Sequence, residues 1–376
     1  MRNETRILFN AYVSRIALLN GVSDATSKFS VDPVVEQRLE QKMTESSEFL
    51  QAINVTGVVD QTAQTLGLGT TRTMAGRTDT SGGTKRNPGD PTGNSETNTY
   101  LCLKTDFDWS RRYALMDAWR HKPDFELLLR DAIVKQQALD RIMIGFNGTS
   151  AAATTDRTAN PLLQDVNIGW LEKIRTHAPA QVFDDGNLTV KTNGTNNAAL
   201  KAIYIKPGVE LFDANAAYNA TGGSAHAAAD YSSLDALVLD AKRMLPEWHR
   251  GNTKLVVVVG HDLVDDKYFT IAQQTGATAT EVEATDRILR SDKQIGGLPA
   301  VRVSFFPSDA LLITTLDNLS IYYQEGTRRR YLKDEPELDR VANYESVNEA
   351  YVVEDYGLVA LVENVVIGAA PARPAP

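Results

Sequence analysis

The stretch PDFELLLRDAIVKQQALDRIMIGFNG, residues 123–148, decides how the rest of the chain is read. Phe125, Leu128/Leu129, Ala132/Ile133, Gln136, Leu139, Met143 and Phe146 recur every three or four positions, the spacing that lines one face of an α-helix. Pro123 suits a helix start and Asn147-Gly148 a stop. At ~1.5 Å per residue the helix is on the order of 35 Å long. Leu128, Ala132, Leu139 and Met143 are expected to face extended strands of the same subunit.

Two helices are expected upstream. Residues 4–20 carry adjoining apolar lines, Ile7–Ala11–Leu18 and Leu8–Tyr12–Ile16–Leu19, and end at Asn20-Gly21. Asp32-Pro33 reads as an N-cap with proline at the first helical position, opening a helix over 33–50. Between Phe49 and Tyr100 there is no aromatic residue, and residues 62–100 hold seven glycines and thirteen Ser/Thr. Leu66, Leu68 and Thr70 alternate before this region, and Leu101, Leu103, Thr105, Phe107 and Trp109 after it. The pattern predicts one long two-stranded arm with its tip near Gly82-Gly83. An isolated hairpin is marginal in water, so such an arm needs a surface to lie on.

Downstream, Ser233 opens a helix that Pro246 closes, and Lys254–Gly260 is a buried strand by its continuous apolar run. Strands are expected at 300–306 and 310–315, ribbons at 318–323, 328–333 and 350–353, and a last buried strand at 358–366. Residues 184–230 read as an insertion and 368–376 as a tail. The fold class is α+β.

Composition narrows the function. The 376 residues suggest two to three domains. Hydrophobic residues make 42% and charged residues 23%, ordinary for a globular protein. The net charge of −9 argues against a general binder of nucleic acid or anionic membrane. One cysteine, Cys102, excludes an internal disulfide and a Cys-based zinc site. No apolar stretch approaches the ~20 residues that span a bilayer, and the N-terminus lacks the apolar core of a signal peptide.

No catalytic constellation stands out. None of the five histidines falls at the i, i+4 spacing of a helical zinc pair. Gly67-Leu68-Gly69 lacks the third glycine of a dinucleotide turn. Val259-Gly260-His261 reads as a plain strand-to-helix turn. Asp265-Asp266 and Asp334-Glu335-Pro336-Glu337 read as solvated faces or as partners of Arg328-Arg329-Arg330. What remains is architectural: helices and arms suited to touching neighbours.

Six segments carry a resemblance: Asn10–Arg15 (NAYVSR), Thr78–Thr84 (TDTSGGT), Ile144–Gly148 (IGFNG), Asn160–Val166 with Gly169-Trp170-Leu171, Leu298–Val303 (LPAVRV) and Asn343–Ser346 (NYES). In order over residues 1–366, they resemble the major capsid proteins of tailed bacteriophages, in the group of the temperate myophage P-two. The resemblance implies the tailed-phage major capsid protein fold. Its N-terminal arm takes 1–61 and its extended loop 62–104. Its peripheral domain, with the spine helix, takes 105–149 and 318–352; its axial domain takes 150–317 and 353–367. It implies a non-enzymatic protein that assembles as pentamers and hexamers into an icosahedral head in the host cytoplasm and encloses double-stranded DNA without sequence-specific binding. It implies no cofactor and no metal. The implied partners are an internal scaffold, a maturation protease and a portal protein. Competing readings are an α+β enzyme with a Gly-rich lid at 62–100, which predicts a small oligomer that binds a ligand, and a tail or adhesion module, which predicts fibres or trimers.

Two site expectations follow. Residues 66–104 carry Arg72, Arg77, Lys85, Arg86 and Lys104 against Asp79, Asp90 and Glu96. The loop is therefore expected to meet a neighbour's acidic surface, with Asp334, Glu335, Glu337 and Asp339 as candidates. Maturation cleavage is expected in an exposed linker at Lys28, Phe29, Ser30 and Val31.

Overall fold

The computed structural model describes residues 1–64, 74–88, 99–119, 125–186, 191–192, 195–196, 201–205, 229–264 and 293–367. Arg72, the alternation at Leu66–Thr70, Gly67-Leu68-Gly69, Asp265-Asp266, most of the expected insertion and the expected tail lie outside them.

The N-terminal segment runs α1 (Asn3–Leu19), β1 (Phe29–Ser30), α2 (Pro33–Glu45), α3 (Glu48–Ala52) and β2 (Asn54–Val58). The Asp32 carboxylate accepts the Val34 N–H at 2.9 Å and so caps α2. The helix expected over 33–50 is thus two helices, broken at Ser46-Ser47. β3 (Thr62–Gln64) and β4 (Thr99–Leu101) pair antiparallel at the base of the arm. β5 (Leu103–Asp106), β6 (Trp109–Arg112) and α4 (Tyr113–Trp119) lead to the spine helix α5 (Phe125–Asn147).

Then follow α6 (Trp170–His177), β7 (Val182–Phe183), β8 (Lys191–Thr192), β9 (Thr195–Asn196), β10 (Ile203–Ile205), α7 (Leu234–Ala241) and α8 (Glu247–Arg250). The chain continues through β11 (Val256–Val259), β12 (Gln294–Ile295), β13 (Leu298–Arg302), β14 (Leu311–Thr314) and β15 (Leu319–Gln324). It closes with β16 (Arg329–Glu335), β17 (Arg340–Val353), β18 (Ala360–Val362) and β19 (Val365–Ile367).

Two sheets carry the fold. One has the order β1-β16-β17-β15-β2, with β5 and β6 also on β17. The 14-residue β17 is its shared member. Its odd positions, Val341, Asn343, Glu345, Val347, Glu349, Tyr351 and Val353, are all buried, as the two-residue period of a strand requires. The second sheet has the order β12-β13-β11-β14-β18-β7. In β11, Val258 packs into the core under α5 and α6, while Val257 and Val259 pack under α7. Both faces are covered, which explains the unbroken valine run.

Trp170 anchors the first core. It is fully buried, donates its indole N–H to the Ser320 carbonyl at 3.0 Å, and packs edge-on to Phe146 and Tyr351. Gly145 of α5 makes room for it, since a Cβ there would lie 2.2 Å from the indole ring. The buried face of α5 is Val134, Gln137, Ala138, Arg141, Ile142 and Gly145, with Ile144 and Phe146 at its end. This corrects the expected face: Ala132 is exposed and Leu139 and Met143 are only half-buried. Ala132 and Met143 line an open groove of about 760 Å³ between α5, β5–β6 and the 152–166 loop.

Candidate assembly site

The least expected cluster is ionic. Arg141 of α5 and Arg328, just before β16, are both fully buried. Glu36 and Glu40 reach them from α2, and Glu345 and Glu349 from the inward face of β17. Glu40 takes Arg141 Nη1 at 2.5 Å and Nη2 at 3.0 Å, and also accepts from Arg328 Nη2. Glu349 accepts from Arg141 Nε at 2.9 Å and from Nη2. Glu345 accepts from Arg328 Nη1. Arg330 adds a third guanidinium at the edge, with Nε 2.7 Å from Asn343 Oδ1 and 3.9 Å from Glu345.

Electrostatics within the cluster divide. Burial alone would raise the Glu40 carboxyl, but Arg141 and Arg328 outweigh it and hold the group below the usual carboxylate range. Glu345 is likewise held down by Arg328 and Arg330 against its burial. Glu36 and Glu349 go the other way: burial dominates and raises both. The knot joins the N-terminal segment, the spine helix and the ribbons at one point.

The arm is the opposite case. Every described residue from Met74 to Pro88 is exposed, including Arg77, Lys85 and Arg86. Its tip is a turn in which the Asp79 carboxylate accepts the Ser81 N–H at 2.9 Å, the Gly83 N–H reaches the Thr80 carbonyl at 3.2 Å, and Gly83 takes φ +83°. At the arm's base Cys102 is buried, and burial pushes its thiol up to about 11. A thiol so protonated is a poor nucleophile.

The acidic candidates separate. Asp334 accepts from the Tyr113 hydroxyl and pairs with Arg6 at 3.3 Å. Glu335 is buried and holds Arg340 at 2.7 Å and Lys333 at 3.3 Å. Both serve their own subunit; Glu337 and Asp339 are exposed. Arg328 turns inward to Glu40 and Glu345 instead of toward the Asp334–Glu337 run.

The segment expected as an exposed linker is structured. Phe29 and Ser30 pair with Arg330 and Arg329 of β16, and Phe29 and Val31 are buried. The reason is apolar: Phe9, Ile16 and Ala17 of α1 close over Phe29, Val31, Tyr113, Met116, Leu332 and Val341. Arg2 N and Thr5 Oγ1 both donate to Asp117, at 3.1 and 2.6 Å, and Arg330 donates to the Tyr12 hydroxyl at 3.2 Å. Only Lys28 and Ser30 of the four expected cleavage residues are exposed.

The sequence profile of the family described as phage major capsid protein, P2 family, matches residues 8–365. The chain belongs to this family. It is 45% identical over 371 residues to the capsid proteins of Escherichia phage P2, covering 98% of this chain and 96% of that one. It is 40% identical to the major capsid protein of Serratia phage KSP20, covering 97% of each. A solved chain of the satellite phage P4 procapsid, which includes the size determination (Sid) protein, aligns at 42% identity with a TM-score of 0.74, over 99% of this chain and 100% of that one. The fold is therefore the α+β fold of tailed-phage major capsid proteins, and this P2-family protein is structural, with no enzymatic role. Among its described residues, no helix is long and apolar enough to cross a membrane.

Of the knot's six central charged residues, only Arg328 drew notice in the sequence, and there as a partner of the Asp334–Glu337 run. A signal was there: Arg141 falls on the same helical face as Ala138, Ile142 and Gly145, and Glu345 and Glu349 share a strand face with Val347 and Tyr351. A charge at an inward register needs a partner.

Proposed function

We propose that copies of this chain assemble as pentamers and hexamers into the icosahedral head of a tailed phage, that the head encloses double-stranded DNA without sequence-specific binding, and that the N-terminal segment is removed during maturation. One observation carries the reading beyond family membership. A 15-residue arm tip, Met74–Pro88, stands wholly in solvent with Arg77, Lys85 and Arg86 on it. Such a tip gains little within its own subunit, and repeated contacts between copies give it a role. In this reading 62–104 is the intersubunit loop, 1–61 the N-terminal arm, 105–149 with 318–352 the peripheral domain, and 150–317 with 353–367 the axial domain. The exposed Glu337 and Asp339 are the acidic groups open to a neighbour's loop. A scaffold, a maturation protease and a portal protein are the further partners, and assembly takes place in the host cytoplasm.

Cleavage near Lys28–Val31 then requires β1 to leave β16 first, because a protease needs an extended, unpaired substrate. Electron microscopy of DNA-filled heads, followed by intact-mass measurement of the protein they contain, tests the whole statement. Closed icosahedral shells whose chain lacks the residues before β1 are expected. Fibres or discrete small oligomers overturn the assembly reading. Shells whose chain retains Met1 through Asn20 overturn only the processing.

A further inference from the structure

We propose that seating of helix α2 on the subunit is proton-linked, with Glu36 as the group that takes the proton, so that the N-terminal arm is a latch that grips more tightly as the pH falls toward the carboxylate range. The linkage arises from the charge count in a closed space within one subunit and does not depend on how copies assemble.

Consider the cluster without α2. Arg141, Arg328 and Arg330 face two carboxylates, Glu345 and Glu349, which leaves one positive charge in excess. Seating α2 brings two carboxylates. Glu40 lies between Arg141 and Arg328 and is held by both, so it neutralises that excess. Glu36 overshoots it by one. Glu36 Oε2 accepts the Gly326 N–H at 2.9 Å. Its Oε1 is buried with no hydrogen-bond partner, 3.9 Å from Arg328 Nε. A buried carboxylate oxygen with no donor, whose nearest cation stands beyond hydrogen-bond distance, is the place where a proton costs least. The groups facing Glu36 agree. Burial raises it most; the Gly326 N–H and Arg328 lower it; Glu40 on its own helix and Glu325 before the ribbon raise it. Glu349, raised first by burial and also by Glu40, adds to the same linkage from the β17 side.

The sign follows. A carboxyl whose seated value lies above its free value favours the seated state fully below the free value, ordinarily near 4.5 for Glu. That contribution is lost as the pH rises through the seated value. Glu40 and Glu345 act oppositely, but only below their ordinary range, where their lowered values lie. From pH 4.5 upward the Glu36 linkage therefore sets the direction.

Hydrogen exchange on the full-length chain tests it. The protection of amides 36–45 in α2 is divided by that of amides 341–353 in β17, which cancels the intrinsic pH dependence of exchange. From pH 4.5 to 8 the ratio should fall by up to about tenfold per pH unit for each proton taken up, and then level off. In Glu36→Gln the fall should shrink and the ratio at pH 8 should match or exceed that of the unsubstituted chain. A ratio that is flat or rises with pH in the unsubstituted chain overturns the proposal, whether or not the variant folds. So does a folded Glu36→Gln chain with a lower ratio at pH 8.

Discussion

Arg141 is a charged residue at a position that helical spacing assigns to the core, between Ala138, Ile142 and Gly145. It holds Glu40 and Glu349 together. Removing one member of a buried ion pair is more damaging than never having the pair, because the remaining charges keep their desolvation cost. Arg141→Met is expected to lower stability by about 3–5 kcal/mol, read as a shift of the urea midpoint of the unassembled chain. Adding Glu40→Gln and Glu349→Gln to it should restore a good part of that loss, since no unpaired buried charge is then left. If the single variant unfolds at the unsubstituted midpoint, the knot contributes nothing to the fold. In the sequence Arg328 reads as one of three clustered arginines facing the Asp334–Glu337 run. Its burial is decided by β16 register, which places the residue before Arg329 against α2, and register is a property of the paired strands.

The spine helix was readable as an element but not in its orientation. Its apolar residues are spread over more than half the circumference, so periodicity alone does not single out the buried stripe, and the expected Leu128–Met143 face was the wrong one. Tertiary packing chose the Val134–Ala138–Ile142 stripe, because Trp170 needs the missing side chain at Gly145 to approach the helix. The Ala132–Met143 side was left to line the groove beside β5 and β6. Two substitutions separate the faces. Ile142→Asp puts an unpaired carboxylate where only 2% of the side-chain residue is exposed and should abolish soluble expression, since such burial costs several kcal/mol. Ala132→Asp, on the exposed side, should leave the thermal midpoint within a few degrees. Equal tolerance at both positions, measured by soluble yield and thermal unfolding, would show that the buried stripe is wrongly placed. The N-terminal helices follow the same rule. Their caps and lengths are local and legible, whereas the docking of α1 over Phe29 and Val31 depends on Leu332 and Val341, more than 300 residues away, and no local pattern announces it.

At the scale of the whole molecule, the arm and the N-terminal segment differ in how they are held. The segment 1–58 is bound by an apolar cluster, a two-residue strand pair, the parallel pairing of β2 with β15 and the ionic knot. The arm is attached through the short β3–β4 pair at its base, where Tyr100 packs edge-on to Tyr322 at 5.1 Å. Its composition made it visible in the sequence, because a glycine- and threonine-rich run without aromatics cannot build a core of its own. What it contacts was not visible, since in the proposed assembly that surface belongs to another copy. The fold of one subunit should therefore be indifferent to the tip. Replacing 74–88 with a short Gly-Ser link is expected to leave the thermal midpoint and the circular dichroism of the unassembled chain unchanged, because no described residue of the tip is buried. Shell yield in microscopy should collapse, because each exposed charge pair is worth only ~0–1 kcal/mol but recurs at every copy in a closed shell. A milder variant, Arg77→Glu with Lys85→Glu and Arg86→Glu, should lower shell yield at low salt and narrow its difference from the unsubstituted chain as salt rises, since screening removes both attraction and repulsion. Normal shells from the tip deletion would mean that assembly runs through other surfaces of the subunit and that the loop's charges are merely solvated.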